Sequence, residues 1–276
     1  MRATTLIAMS LVAPAIVAAC GDHVTPTATL APPSFVTGGS PTGSAFGNVG
    51  ALLFDFDGDG TIEGGELICS GGLISPTVFL TAAHCVAGAP PSAVLWVSFD
   101  PDVLPAPSPV IRAVSFHFDP AFGHDQADPH DLAVVILPEG STAGIESLQL
   151  PPAGLLDRLA AQGGLTDQLF LNVGYGVSGS VTGRPAFTYD GNRNLSKAEF
   201  VALQPSWLEL LMNSHATDEG GDCFGDSGAP KFFEGNTRLI LATVTKGDPP
   251  CRATSFHYRL DTPSARAFLG EFVTLP

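Results

Sequence analysis

Three short segments carry the residue types that acyl transfer needs. His84 stands in Thr81-Ala82-Ala83-His84-Cys85, Asp131 in His130-Asp131-Leu132-Ala133, and Ser227 in Gly225-Asp226-Ser227-Gly228. A serine hydroxyl is a weak nucleophile at neutral pH and needs an adjacent base to take its proton. A histidine can accept that proton and return it to the leaving group. A buried carboxylate then fixes the imidazole tautomer and stabilises the imidazolium. Each of the three residues lies beside an apolar run able to hold it rigidly, and the long stretches between them leave room for many strands.

The elements that must position these groups are short. From Ala45 onward, apolar runs alternate with turn clusters. The runs Val49–Phe54, Leu73–Leu80, Val94–Phe99, Ala113–Phe118, Leu132–Leu137, Leu169–Val173, Trp207–Met212, Leu239–Val244 and Ser255–Arg259 are predicted strands. Many short strands broken by Gly and Pro, of which the chain has 31 and 24, point to a sandwich or a pair of barrels. Two stretches have helical spacing. Gly154–Ala161 carries Leu155, Leu156 and Leu159, and Thr262-Pro263 reads as a cap and first-turn proline ahead of Ala267, Phe268 and Phe272. No repeat of fixed period is present.

Together, the three segments in the order His, Asp, Ser resemble the chymotrypsin-like (trypsin-like) serine protease family, and the resemblance runs from about Asn48 to Phe272. It implies an all-β domain over 45–276, built as two six-stranded antiparallel β-barrels with a C-terminal helix. It implies His84 as general base and acid, Asp131 as its orienting carboxylate and Ser227 as nucleophile. The backbone N–H groups of Gly225 and Ser227 would form the oxyanion hole, and the disulfides would be Cys69–Cys85 and Cys223–Cys251. The implied activity is endopeptidase hydrolysis of protein or peptide substrates, with no cofactor required for the chemistry.

Several positions depart from the family pattern. Activated members usually pair a freed N-terminus, often Ile-Val-Gly-Gly, with the aspartate that is Asp226 here. The nearest match, Val36-Thr37-Gly38-Gly39, follows Phe35 rather than a basic residue. In the implied substrate pocket, Gly221 stands where trypsins carry Asp, with Asp222 beside it. Thr245-Lys246-Gly247 replaces the usual Ser-Trp-Gly, and Phe256 replaces a small residue. A bulky Phe256 predicts a shortened pocket for small or medium side chains, whereas Asp222 predicts attraction for basic ones. Ala229 stands where Gly is usual.

The first twenty residues read as an export signal: Arg2 is followed by the mostly apolar stretch from Leu6 to Val17, broken by Pro14, and then by Ala18-Ala19. Val17-Ala18-Ala19-Cys20-Gly21 also resembles a bacterial lipobox. Cys20 is the cysteine left over when the other four pair, so lipidation at Cys20, with membrane attachment, is expected alongside the alternative of simple cleavage. The expected location is a bacterial cell envelope or the exterior. Residues 21–44, rich in Pro, Thr, Ala, Gly and Ser, read as a tether or propeptide. A formal charge of −15 repels phosphate backbones and argues against nucleic acid as a partner. A monomer is expected.

Asp55, Asp57, Asp59, Thr61, Glu63 and Glu66 fall at the ligand positions of an EF-hand loop, with Gly60 at its sixth position, which fits a structural calcium ion. The flanking segments read as strands rather than helices, so an acidic hairpin tip is the competing account. Gly174-Tyr175-Gly176-Val177-Ser178-Gly179 spells a dinucleotide fingerprint, but no helix follows it and the cofactor reading fails. His117, His124 and His130, set among Asp119, Asp125 and Asp128, show no metal-ligand spacing and read as a solvated loop. Two other functions compete. A catalytically silent, surface-displayed binding protein on the same fold would show no serine reactivity. An esterase or lipase would need Gly-x-Ser-x-Gly and a histidine that comes last in the chain.

Overall fold

The computed structural model describes residues 37–90, 92–179, 183, 184, 186–213 and 220–276. The expected export signal, the lipobox cysteine and most of the expected tether lie outside them.

After a two-residue strand β1 (Ser40–Pro41) come the strands of a first barrel: β2 (Val49–Phe54), β3 (Leu67–Ser75), β4 (Val78–Thr81), β5 (Leu95–Ser98), β6 (Ile111–Arg112), β7 (Ser115–Phe118) and β8 (Ala133–Ile136). Their sheet runs β6-β5-β2-β3-β4-β8-β7, all antiparallel. β6 and β7 are halves of one run. Ala113 N–H still donates to Leu95 O on β5, while Val114 N–H donates to Ile136 O on β8, so this segment carries the sheet round from one edge to the other. Leu52, Leu73, Phe79, Leu95, Val97 and Val135 fill the interior, alternating with outward residues as a closed sheet requires.

Helix α1 (Leu155–Ala161) leads into the second barrel: β9 (Leu169–Gly174), β12 (Asn194–Leu203), β13 (Trp207–Leu211), β14 (Pro230–Phe233), β15 (Ala242–Gly247) and β16 (Thr254–Arg259), with β10 (Ser178–Gly179) and β11 (Phe187–Thr188) paired as a separate two-stranded sheet. The order β12-β13-β16-β15-β14-β9 closes on itself because β12 also pairs with β9. Helix α2 (Pro263–Leu269) follows. Its Thr262 side chain accepts from Ala265 N–H, and Pro263 sits in its first turn, as the sequence predicts. The expected fold, two antiparallel barrels with a C-terminal helix, is the one observed. A shared core of Val49, Leu80, Leu132, Leu171, Phe232 and Tyr258 fills the seam between the barrels.

Three local expectations need correction. The predicted strand Leu73–Leu80 is a hairpin, because the turn Pro76-Thr77 separates β3 from β4. The ten-residue β12 has no counterpart among the predicted strands. Its inward side chains are Asn194, Ser196 and Ala198, so the apolar alternation that marks a strand is absent. The end of the expected tether, residues 37–44, belongs to the fold. Thr37 is buried, β1 pairs with β12, and the buried Arg193 guanidinium donates to Thr42 Oγ1, Gly43 O and Ala45 O.

Candidate active site

Strand register brings His84 and Asp131 together. β4 and β8 are antiparallel with Thr81 opposite Ala133, so the residues just past the end of β4 face those just before β8. There His84 Nδ1 lies 2.9 Å from Asp131 Oδ2 and 3.1 Å from Oδ1, and His84 N–H donates to Oδ1 at 2.9 Å. The Asp131 side chain is completely buried, whereas the His84 side chain is 32% exposed. A carboxylate only accepts, so Nδ1 carries the proton on that side; Nε2 makes no hydrogen bond among the described residues, and His84 and Ser227 line one pocket. No direct His84–Ser227 hydrogen bond forms among the described residues, a looseness common before substrate is bound.

The turn bearing Ser227 is tied down by backbone from both barrels. Ser70 on β3 donates its N–H to Ser227 O and its hydroxyl to Gly225 O, while accepting from Tyr175 N–H. Thr81 Oγ1 in turn donates to Ser70 O at 2.8 Å. Gly228, at φ +79°, fits here because a Cβ would lie 2.3 Å from Thr81 Oγ1 and 2.6 Å from Ser70 O. The N–H groups of Gly225 and Ser227 donate to no chain acceptor among the described residues. Sequence reasoning missed Ser70. Its signal, a small polar residue between Cys69 and Gly71 on a strand that turns out to be buried, is visible only once β3 faces the nucleophile turn.

Asp226 points away from the pocket and is fully buried. Its two oxygens accept from Gly176 N–H and Cys223 N–H, both at 2.8 Å. A Cβ at Gly176 would overlap that carboxylate, so the Gly174-Tyr175-Gly176 fingerprint is a berth for Asp226. Burial and the Asp222 charge push Asp226 up to about 7. Nearby, Thr37 O accepts from Gly221 N–H, and Thr37 Oγ1 accepts from Gly179 N–H, so the segment following Val36 is docked beside this loop.

A pocket of about 350 Å³ opens from His84 and Ser227, walled by Asp222, Thr245, Lys246 and Gly247 among others. Two residues expected in it are elsewhere. Gly221 lies behind the wall, against Thr37 and Met212. Phe256 does not shorten the pocket. Its ring packs edge-on against Trp207 and under the Lys246 ammonium, while strand alternation turns its neighbour His257 inward. Asp222 is held by two buried residues that sequence reasoning did not single out, Lys231 and His257. The disulfides Cys69–Cys85 and Cys223–Cys251 flank the histidine and the pocket. They require an oxidising compartment.

The EF-hand-like loop joins β2 to β3, strand to strand as expected. Carboxylate oxygens of Asp55, Asp57 and Asp59 come within 4.8 Å of one another. Glu66, expected at the last ligand position, instead accepts from Phe56 N–H and Glu63 N–H, and so closes the loop on itself. The histidine-rich segment is not simply solvated. His130 Nδ1 lies 2.8 Å from Asp119 Oδ2, and Asp128 accepts from Tyr258 OH across the barrel seam. No helix among the described residues is long and apolar enough to cross a membrane.

A family model described as Trypsin matches residues 54–267. Among solved structures, human heparin binding protein is 18% identical, with 86% of this chain and 96% of that chain covered at a TM-score of 0.61. A structure described as HL collagenase is 19% identical, with 86% and 97% covered at a TM-score of 0.60. At such identities the likeness is one of fold. No curated protein matches the sequence.

Proposed function

This chain belongs to the trypsin family, and we propose that it is a serine endopeptidase that hydrolyses peptide bonds through an acyl-enzyme on Ser227. The observation that carries the reading is the state of His84: one ring nitrogen is fixed on a buried carboxylate, the other makes no hydrogen bond among the described residues, and His84 lines a pocket together with Ser227. In this reading Ser227 Oγ attacks the scissile carbonyl carbon as its proton passes to His84 Nε2. Asp131 stabilises the imidazolium that results. The negative charge developing on the carbonyl oxygen is met by the N–H groups of Gly225 and Ser227, preset by the Ser70 contacts. His84 then gives its proton to the departing amine. Water, activated by the same nitrogen, hydrolyses the ester and restores Ser227.

Export is proposed as the source of the oxidising environment, with Cys20 either lipidated or left as a free thiol by simple cleavage of the leader. No cofactor serves the chemistry, and the 55–66 loop is assigned at most a structural calcium ion, on the convergence of Asp55, Asp57 and Asp59. A second reading, a binding protein on this fold, draws on the likeness to heparin binding protein. The formal charge of −15 opposes a polyanion such as heparin, and an open His84–Ser227 pocket is superfluous to such a role. A fluorophosphonate probe tests the proposal. Labelling of the folded protein that disappears in Ser227→Ala is expected, and an unlabelled folded protein would overturn it.

A further inference from the structure

A trypsin-family pocket with an aspartate in its wall invites the expectation of Lys or Arg at P1, the substrate residue that enters it. The surroundings of Asp222 oppose this. Its Oδ1 lies 2.5 Å from Lys231 Nζ, and its Oδ2 lies 2.8 Å from His257 Nε2. His257 is anchored in turn, its Nδ1 lying 3.0 Å from Leu208 O. The side chains of Lys231 and His257 are fully buried and that of Asp222 is 4% exposed. Burial alone would raise the Asp222 carboxyl, but Lys231 and His257 outweigh it and hold the group at about 2. The carboxylate is therefore charged, and its charge is already matched by a lysine inside the barrel.

The pocket's other carboxylate is occupied as well. Asp248 accepts from Arg252, Ala253 and Thr254 N–H groups, which pin the 248–254 turn. The nearest cation on the wall, Lys246, sits over the rings of Trp207 and Phe256 and adds positive potential. Behind the wall, Met212 packs tightly enough that a Cβ on Gly221 would lie 2.1 Å from its Cγ, and one on Gly247 would lie 3.3 Å from its Cε. Among the described residues lining the pocket, both carboxylates, Asp222 and Asp248, already have partners, and a basic P1 side chain would enter the field of the lysine buried behind Asp222. A cation desolvated without a partner is costly, whereas an uncharged side chain loses nothing there.

Building on the peptidase reading, we propose that Lys231 and His257 withhold Asp222 from substrate, so that the pocket selects peptides with an uncharged, small-to-medium P1 side chain and excludes Lys and Arg. Lys231 and His257 are then specificity-determining through Asp222, without touching substrate themselves.

Benzamidine, a small cation the size of a P1 group, tests this by calorimetry whether or not the protein turns over. The wild-type chain should bind it no tighter than about 1 mM, and Lys231→Met, which uncovers Asp222, should bind it at least about tenfold tighter. Sub-millimolar binding by the wild type, or a folded Lys231→Met with no gain, would overturn the proposal. If Lys231→Met does not fold, the wild-type affinity decides alone, together with peptide-library profiling. Cleavage after residues such as Ala, Val or Leu supports the assignment, and cleavage after Lys or Arg refutes it. Fluorophosphonate labelling reports Ser227 independently. A pocket that refuses benzamidine in a protein that does not label would therefore count against the peptidase reading, not against the pocket assignment.

Discussion

His84–Asp131 and His257–Asp222 are chemically the same pair, with N···O distances of 2.9 and 2.8 Å and a buried carboxylate in each. They differ in what is left over. His84 uses one ring nitrogen and leaves the other without a hydrogen bond among the described residues, in a side chain that lines the pocket and is a third open to solvent. His257 uses both, between Asp222 and Leu208 O, and is sealed inside the second barrel beside Lys231. A base must have an accessible lone pair that can change its proton during turnover. The second pair has none, so the same two residue types there become part of the scaffold that sets the pocket's charge. Burial pushes His257 below its ordinary value and the Asp222 contact opposes that shift, the balance of a structural group.

Removing each imidazole in turn separates the two roles. His84→Gln should lower peptide or ester turnover by about 10⁴-fold or more while leaving the melting temperature nearly unchanged. His257→Gln should do the reverse, costing about 1–3 kcal/mol of stability and changing turnover of a preferred substrate only a few-fold. Equal losses of activity from the two variants would end the distinction. A smaller effect is expected at Ser70, which touches neither histidine but holds the nucleophile turn. Ser70→Ala leaves Gly225 O and Tyr175 N–H without their partner. Turnover should fall roughly tenfold, and stability by about 1–2 kcal/mol. An unchanged rate would show that the turn holds itself.

The smallest effect concerns the acid beside the second pair. With Asp226 raised from 3.8 to about 7, the folded chain keeps a proton between those values that the unfolded chain has lost. Its contribution to stability therefore falls as pH rises through that window. Asp226→Asn cannot ionise, so its melting temperature should gain on the wild type from about pH 4 to pH 7 and run parallel above. Curves parallel throughout would mean that Asp226 ionises normally in the folded chain.

The meeting of His84 with Asp131, beside the pocket that Ser227 lines, is legible in the sequence because each residue sits inside a short motif of fixed local geometry. Gly228 is the clearest case, since a positive φ and the approach of Ser70 O exclude any other residue. The pocket was legible only in part. Asp222 and Lys246 stand where the motif count puts them, but nothing in Pro230-Lys231-Phe232-Phe233 marks Lys231 as a partner of Asp222 until β14 is known to bury it. The expectation for Phe256 failed for a related reason. Counting along the chain gives a position, whereas strand alternation decides which of two neighbours faces inward, and here that is His257. β12 stayed hidden because polar contacts, such as Asn172 Nδ2 to Ser196 Oγ, replace apolar packing on its inner face.

In the proposed reaction the His84–Asp131 pair drives Ser227 against peptide bonds. Incubating the chain with an unfolded protein and sequencing the newly formed termini by mass spectrometry, beside the Ser227→Ala and His84→Gln variants, tests it most directly. New termini in the wild type alone, following uncharged residues, are the predicted result. Fluorophosphonate-reactive protein that opens no peptide bond would contradict it and leave an esterase in its place.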